Sequence, residues 1–255
     1  MRIPSLLAGI LGGIVAASPV LVAAESGVDK TVVELFTSQS CYSCPPAEAY
    51  LGELVERGDV IALEFHVDYW DDLVYGPAGR WKDVFSSPAN TDRQRVYNRN
   101  IRGTAQVYTP QMVVDGRVEA AGTRRGAVEA AIDGQARDLR SRLVVTIANT
   151  PHGVLTIAIG GPLKVSAPIW LARFERSRAT RVKAGENNGK TLTNHHVVTG
   201  MERIGTWAGA AMTATVPGVA LSSNEGCAVL VQSETQGPIL GAAECPAPAI
   251  TKSRG

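Results

Sequence analysis

The residues with the most specific chemistry are two cysteines three positions apart, in the segment Cys41-Tyr42-Ser43-Cys44. Such a pair can close into a disulfide and reopen by thiol exchange. Pro45 and Pro46 follow directly, and because proline is tolerated only in the first turn of a helix, they predict a helix that begins at about residues 42–44. Both thiols then lie at a helix N-terminus, where free N–H groups and the helix dipole lower the pKa of a thiol.

The two cysteines are expected to have different roles. The N-terminal cysteine of such a pair is usually the more exposed, so we predict that Cys41 attacks or is attacked. Cys44, further into the helix, then resolves the mixed disulfide. Taken alone, the spacing also fits a structural disulfide or half of a metal site.

The elements around this motif predict an α/β domain of the thioredoxin type over residues 28–141. Residues 31–37 and 60–67 read as buried strands, with a helical pattern between them, which is typical of a parallel βαβ unit. An insertion at about 68–105 contains a polar helix. Two short strands then flank Asp115-Gly116, a strong hairpin signal, and an amphipathic helix follows from Arg125 to Arg140.

Four further residues are predicted to bind substrate beside the dithiol. Thr109-Pro110 precedes a strand, where a cis peptide bond would leave the backbone of Thr109 free to pair with an incoming chain. His66 and Asp68 end the second strand, at the sheet edge where ligands usually lie, and either is able to move protons during exchange. A buried polar cluster is the alternative for these two, and an ordinary strand-initiating proline is the alternative for Pro110.

From Leu143 onward the hydrophobic period is two, which predicts a smaller all-β, sandwich-like domain over residues 142–247. Cys227 and Cys245 bracket two of its strands, and we predict a structural disulfide between them. His195 and His196 are adjacent in a strand and point to opposite faces, so they are not expected to share a metal. The sequence predicts no metal site and no cofactor.

The two ends of the chain and its charge bear on location and partners. Residues 1–24 read as a signal peptide, with Arg2, an apolar run and small residues before the cleavage point, and residues 248–255 read as a flexible tail. We therefore predict a bacterial protein that is periplasmic or secreted, without stable membrane insertion after signal cleavage. The 25 basic and 24 acidic residues nearly balance, so no nucleic-acid partner is expected.

Many spaced segments resemble the domain of unknown function 1223 family, which comprises secreted bacterial thioredoxin-like proteins. The resemblance implies a thioredoxin-like first half, export and a functional dithiol, but the family's reaction is unassigned. The segments that carry the resemblance are 33–39, Cys44-Pro45-Pro46-Ala47, 65–71, Arg93-Gln94 with Tyr97, Tyr108 to Gly116, Gly185-Glu186-Asn187, Leu192, Val197-Val198 and 237–243.

Three functional hypotheses follow. The leading one is a thiol–disulfide oxidoreductase that acts through Cys41 and Cys44 on a protein or a small thiol or disulfide. The second is a non-enzymatic copper carrier in which His66 joins the two thiolates. The third is a protein-interaction module whose disulfide is structural. Neither the direction of electron flow nor the oligomeric state follows from the sequence.

Overall fold

A computed structural model of the chain describes residues 30–137, 142–149 and 153–247. The predicted signal peptide (1–24) and tail (248–255) lie outside these residues. The strands are β1 (Thr31–Thr37), β2 (Val60–His66), β3 (Gln111–Val114), β4 (Val118–Ala121), β5 (Val144–Asn149), β6 (Leu155–Gly160), β7 (Ser166–Arg181), β8 (Thr191–Ala208), β9 (Met212–Val216), β10 (Glu225–Gln232) and β11 (Ile239–Glu244). The α-helices are α1 (Pro45–Val55), α2 (Pro88–Arg102) and α3 (Arg125–Ala136), and two short 3₁₀ turns span Gly76–Ala78 and Glu234–Gln236.

The first half forms a mixed sheet in the order β2-β1-β3-β4. β1 and β2 are parallel, whereas β3 is antiparallel to β1 and β4 is antiparallel to β3. Every residue of β1 and β2 is buried, which fits their nearly continuous apolar sequence. The tight turn between β3 and β4 is made by Asp115 and Gly116, both of which have positive φ.

Helices cover both faces of this sheet. Because neighbouring strand residues point to opposite faces, β1 contributes alternate side chains to two cores. Val33 and Leu35 pack against α1 and α3. Val32 and Phe36 pack on the other side, in the core that contains Tyr97 of α2.

The strands after residue 142 fall into two groups. β8 pairs with β2 at Glu64 and Val197, so that β11-β10-β7-β8 continues the sheet of the first half into eight strands. β5, β6 and β9 form a second sheet, and its side chains pack with those of β7 and β10 around Trp207. The boundary predicted near residue 141 therefore separates the part that contains the α-helices from the seven strands described after it, four of which belong to the same sheet as the first half.

The long hairpin of β7 and β8 brings the second half to the dithiol. The two strands pair from Ser166 opposite Ala208 at the base to Arg181 opposite Thr191 at the tip. Residues 182–190, which we call the hairpin tip, form a tight loop, with Gly185 and Gly189 at positive φ. A Cβ atom added at Gly52 of α1 would lie 3.0 Å from the ring of His195, near the start of β8. This end of the hairpin therefore crosses α1.

Candidate functional site

A disulfide joins Cys41 to Cys44 immediately before α1, with the two Cα atoms 5.4 Å apart. Cys44 is the N-cap and Pro45 is the first helical residue, close to the predicted start of the helix. Both cysteines are 0% exposed, although Tyr42 between them is 67% exposed. The expectation that Cys41 is the more exposed member of the pair is therefore wrong for this structure, in which both cysteines are equally buried.

The N-terminus of α1 has fewer free donors than its position suggests. Pro45 and Pro46 carry no N–H, so the residues that fix the helix start also remove two of its unpaired donors. The N–H of Ala47 and that of Glu48 both donate to the carbonyl of Cys44. The hydroxyl of Ser43 lies 3.5 Å from Sγ of Cys41, which makes it a local donor to a thiolate at that position.

Glu48 places a buried carboxyl group one helical turn after Cys44. Its Oε1 accepts a hydrogen bond from the hydroxyl of Thr37 at 2.7 Å. Burial raises the pKa of Glu48 to about 8, and the negative charge of Glu64 adds to the effect. The group therefore holds its proton at neutral pH and releases it in the range where thiols ionise.

His66, at the end of β2, lies between two acidic side chains. Its Nδ1 is 2.7 Å from Oδ2 of Asp83 and its Nε2 is 3.1 Å from Oε1 of Glu64. Burial acts to lower the pKa of His66, but the charge and hydrogen bond of Asp83, together with the hydrogen bond to Glu64, raise it well above its usual value. His66 is fully buried and does not face an open substrate cleft.

Polar side chains from both halves complete this cluster. The amide of Asn194 donates to Oε1 of Glu64 at 2.7 Å, and the backbone N–H of His195 donates to Oε2. The backbone N–H of Gln39 donates to Asp83 at 2.7 Å. The cluster therefore connects the segment before Cys41 to β2 and β8. Asp83 was not predicted, because it lies in an irregular segment with no periodic signal.

Asp68 lies outside this cluster. Its carboxyl group accepts a hydrogen bond from the hydroxyl of Thr91 at 2.5 Å, and its backbone N–H donates to the same hydroxyl. These contacts tie the end of β2 to the first turn of α2. The nearby residues Arg93 and Tyr97 bond to each other on the α2 face of the sheet, where Arg93 also pairs with Glu34 at 2.6 Å.

Thr109 and Pro110 lie beside the start of α1, and the peptide bond between them is cis. A Cβ atom added at Gly122 would be 2.9 Å from Cβ of Ala47 and 3.3 Å from Cβ of Pro110, so the proline and the helix start flank the same glycine. The hydroxyl of Thr109 accepts a hydrogen bond from the indole N–H of Trp70 at 2.8 Å. Thr109 is half-buried and Pro110 is buried.

The second disulfide joins Cys227 at the start of β10 to Cys245 just after β11, with the Cα atoms 5.2 Å apart. It belongs to the core between the two sheets. The two adjacent histidines of β8 have different surroundings, and His196 has a positive φ and no register partner in β7. The ring of His196 stacks on Phe174 at 4.2 Å, and burial lowers its pKa to about 4, whereas His195 packs on Gly52.

The hairpin tip, from the second half of the chain, binds the backbone on both sides of Cys41. The side-chain amide of Asn187 donates to the carbonyls of Gln39 and Cys41, each at 2.9 Å. Oε2 of Glu186 accepts the backbone N–H of Tyr42 at 2.8 Å. Glu186 and Asn187 were not predicted as site residues from their chemistry, although the segment Gly185-Glu186-Asn187 is among those that carry the family resemblance.

A cavity of about 770 Å³ lies away from the disulfide, between α2 and strands β7 and β8. Its walls include Phe65, Phe85, Trp170, Val198 and Met201, and neither cysteine of the first disulfide contributes to it.

Within the part of the chain that the structure describes, no helix is long and apolar enough to cross a membrane.

Comparisons with known proteins place the chain in a sequence family. The family described as "Protein of unknown function (DUF1223)" matches residues 32–232. The crystal structure of protein AGR_C_4864 from Agrobacterium tumefaciens is similar, with a TM-score of 0.74 and 32% identity over 89% of this chain and 98% of that one. An endonuclease/exonuclease/phosphatase from Beutenbergia cavernae aligns with a TM-score of only 0.20 and 12% identity, over 46% of this chain and 24% of its own. No curated protein matches the chain.

Proposed function

We propose that this chain, which belongs to the DUF1223 family, is an exported thiol–disulfide oxidoreductase that works through Cys41 and Cys44. The observation that carries the proposal is the disulfide between them, located at the start of a helix and one turn from a buried carboxyl group with a pKa of about 8. A carboxyl group with this pKa, one turn from the disulfide, suits a pair that takes up and releases protons as it is reduced and oxidised.

The strand order supports a thioredoxin-like assignment for the first half. In β2-β1-β3-β4, a parallel βαβ unit is followed by an antiparallel hairpin, with α1 and α3 on one face and α2 on the other. In this arrangement the dithiol lies after the first strand. Pro110 lies beside the start of α1, as the corresponding proline does in that fold.

The proposed reaction starts from the oxidised form. A thiolate of the partner attacks Sγ of Cys41, the Cys41–Cys44 bond breaks, and Cys44 leaves as a thiolate while Cys41 carries a mixed disulfide. A second thiolate of the partner attacks the partner's sulfur in that mixed disulfide, which forms the partner's disulfide and releases Cys41. The protein gains two electrons, and the two protons lost by the partner's thiols end on Cys41 and Cys44. The reverse sequence reduces a partner disulfide.

Glu48 supplies a proton to the Cys44 thiolate as it leaves at the first step, and it regains a proton from the partner's thiols. Its backbone N–H is bonded to the carbonyl of Cys44, so the two residues are on the same face of the helix start. A carboxyl group with a pKa of about 8 matches a thiol, whose usual pKa is about 8.5, so a proton passes between them at little cost in free energy. His66 and Asp83, which contact each other, are charged groups that set the electrostatic environment of the Glu48 carboxyl group.

Export and the absence of a membrane anchor after processing are part of the proposal. Two disulfides in one chain are typical of an oxidising compartment, and the sequence predicts a signal peptide. The copper alternative is less well supported, because both ring nitrogens of His66 are engaged with Asp83 and Glu64. A copper ion would have to break one of these contacts.

The proposal is tested by trapping the mixed disulfide. We expect Cys44→Ser to accumulate a mixed disulfide with oxidised glutathione at Cys41, because the resolving thiol is missing, and intact-mass measurement detects it. Cys41→Ser should form far less adduct at Cys44. Replacement of both cysteines of the second disulfide by alanine is the matched control and should leave the exchange unchanged. Equal adduct formation in both single variants, or none in either, would overturn the assignment.

A further inference from the structure

We infer that the hairpin tip is a gate over the Cys41–Cys44 disulfide, latched by Asn187, which must open before a partner thiol can reach Cys41. The inference rests on the proposed function and adds its regulation. Thiol exchange requires a direct approach of one sulfur to another. Neither sulfur is accessible in the closed form, because both cysteines are 0% exposed.

Asn187 is the central contact of the closed form. Its side chain is fully buried and uses both amide hydrogens, one on the carbonyl of Gln39 and one on that of Cys41. Its Oδ1 accepts a hydrogen bond from the ammonium group of Lys190 at 2.8 Å. The carbonyls that it engages belong to Gln39, two residues after β1, and to the attacked cysteine itself, so opening of the tip frees the backbone on that side of the disulfide.

Three further contacts hold the tip on either side of the motif. The carboxyl group of Glu186 accepts the N–H of Tyr42, and the ammonium of Lys190 lies 4.5 Å from the centre of the Tyr42 ring. The N–H of Gly185 donates to the carbonyl of Ala78 at 3.1 Å. The tip therefore binds both the motif and the segment before Asp83.

The character of these contacts distinguishes a gate from a fixed wall. They are mainly polar, and the residues at the tip that face solvent are Lys183, Glu186, Asn188, Gly189 and Lys190. Local opening has a low free energy where few apolar groups are buried and hydrogen bonds lie near solvent. Val182, which is buried, marks the hinge side at which the tip joins the hairpin.

Two adjacent asparagines give a matched pair of variants. Asn187→Ala removes both donors to the motif, whereas Asn188→Ala changes an exposed neighbour of the same type whose contact in the tip is made by its backbone N–H. The probe is a water-soluble phosphine, which takes up one oxygen from water as it reduces the disulfide to two thiols. Quenched alkylation and peptide mass analysis then give a separate reduction rate for each disulfide in one sample.

We expect the phosphine to reduce the Cys41–Cys44 bond of Asn187→Ala roughly tenfold faster than that of the wild type, because two hydrogen bonds of the closed form are lost. Asn188→Ala should remain within about twofold of the wild type, since its side chain contributes nothing to closure. The Cys227–Cys245 bond, in the core between the sheets, should keep its rate in all three proteins. Equal rates at Cys41–Cys44 in all three proteins, or joint acceleration of both disulfides in Asn187→Ala, would overturn the gate.

A second measurement needs no variant. Amide hydrogen exchange of the oxidised wild type should show residues 182–190 opening with a much lower free energy than β1 and β2. Protection of the tip equal to that of these strands would contradict the gate. Because a phosphine needs no exchange activity, a failed gate and a failed oxidoreductase assignment give different results. The first appears in these rates and the second in the glutathione trapping experiment.

Discussion

Replacement of Glu48 by glutamine should make the protein more stable at neutral pH and leave its stability almost unchanged at pH 4.5. Glu48 is buried and its pKa is raised by that burial to about 8, from an ordinary value of 4.5. Glutamine has nearly the same shape, and its Oε1 keeps the hydrogen bond from Thr37. The substitution therefore removes the titration and little else.

The sign and size of the stability change follow from the shift in the pKa of Glu48. Between pH 4.5 and about 8 the native state keeps a proton that the unfolded state has lost, so wild-type stability falls as the pH rises through this window. At pH 7, which is about 2.5 units above the ordinary value, the loss is about 3 kcal/mol at 1.36 kcal/mol per unit. Glutamine at position 48 does not titrate, so the variant should exceed the wild type by about 3 kcal/mol at pH 7.

The assay is urea unfolding with both disulfides intact, carried out at several pH values between 4.5 and 8. Glu56→Gln is the matched control, because Glu56 is an exposed glutamate at the end of the same helix. Its difference from the wild type should stay within about 0.5 kcal/mol at every pH. A difference for Glu48→Gln that does not change with pH, or a variant less stable than the wild type at pH 7, would refute the reasoning.

Three further results are expected. Ser43→Ala should raise the thiol pKa of Cys41 in the reduced protein, since it removes the hydroxyl 3.5 Å from that sulfur; thiolate absorbance against pH measures this, and an unchanged value would contradict it. Asp83→Asn should cost about 3–5 kcal/mol at neutral pH by leaving the buried, protonated His66 without its stronger partner, and a loss below about 1 kcal/mol in urea unfolding would oppose this account. Alanine at both cysteines of the second disulfide should cost about 3 kcal/mol for a sequence separation of 18, and an unchanged urea midpoint would contradict this.

Much of the first half could be predicted from local signals. The two prolines after Cys44 set the start of α1 to within a few residues, and the turn at Asp115 and Gly116 fixed the β3–β4 hairpin. Buried strands such as β1 and β2 are recognisable because they are apolar throughout. The family resemblance is confirmed by the match over residues 32–232, whereas the thioredoxin-like assignment stays a proposal.

What could not be predicted depends on contacts between distant parts of the chain. Cys41 is buried, and its carbonyl accepts a hydrogen bond from Asn187, 146 positions away. No periodicity near the motif reports that contact. His66 has Asp83 as a partner because an irregular segment folds back over the end of β2. The prolines also had an effect opposite to the one expected from helix position alone, since they remove two donors from the N-terminus of α1.

The central claim is that Cys41 and Cys44 form a redox-active pair, and a redox titration tests it most directly. The protein is equilibrated across a series of glutathione ratios, and alkylation followed by peptide mass analysis reports the state of each cysteine. We predict that the Cys41–Cys44 pair titrates reversibly as a two-electron couple, with a potential between about −270 and −120 mV, while Cys227–Cys245 stays oxidised throughout. A Cys41–Cys44 disulfide that remains oxidised across the series, or is reduced only together with Cys227–Cys245 as the protein unfolds, would contradict the account.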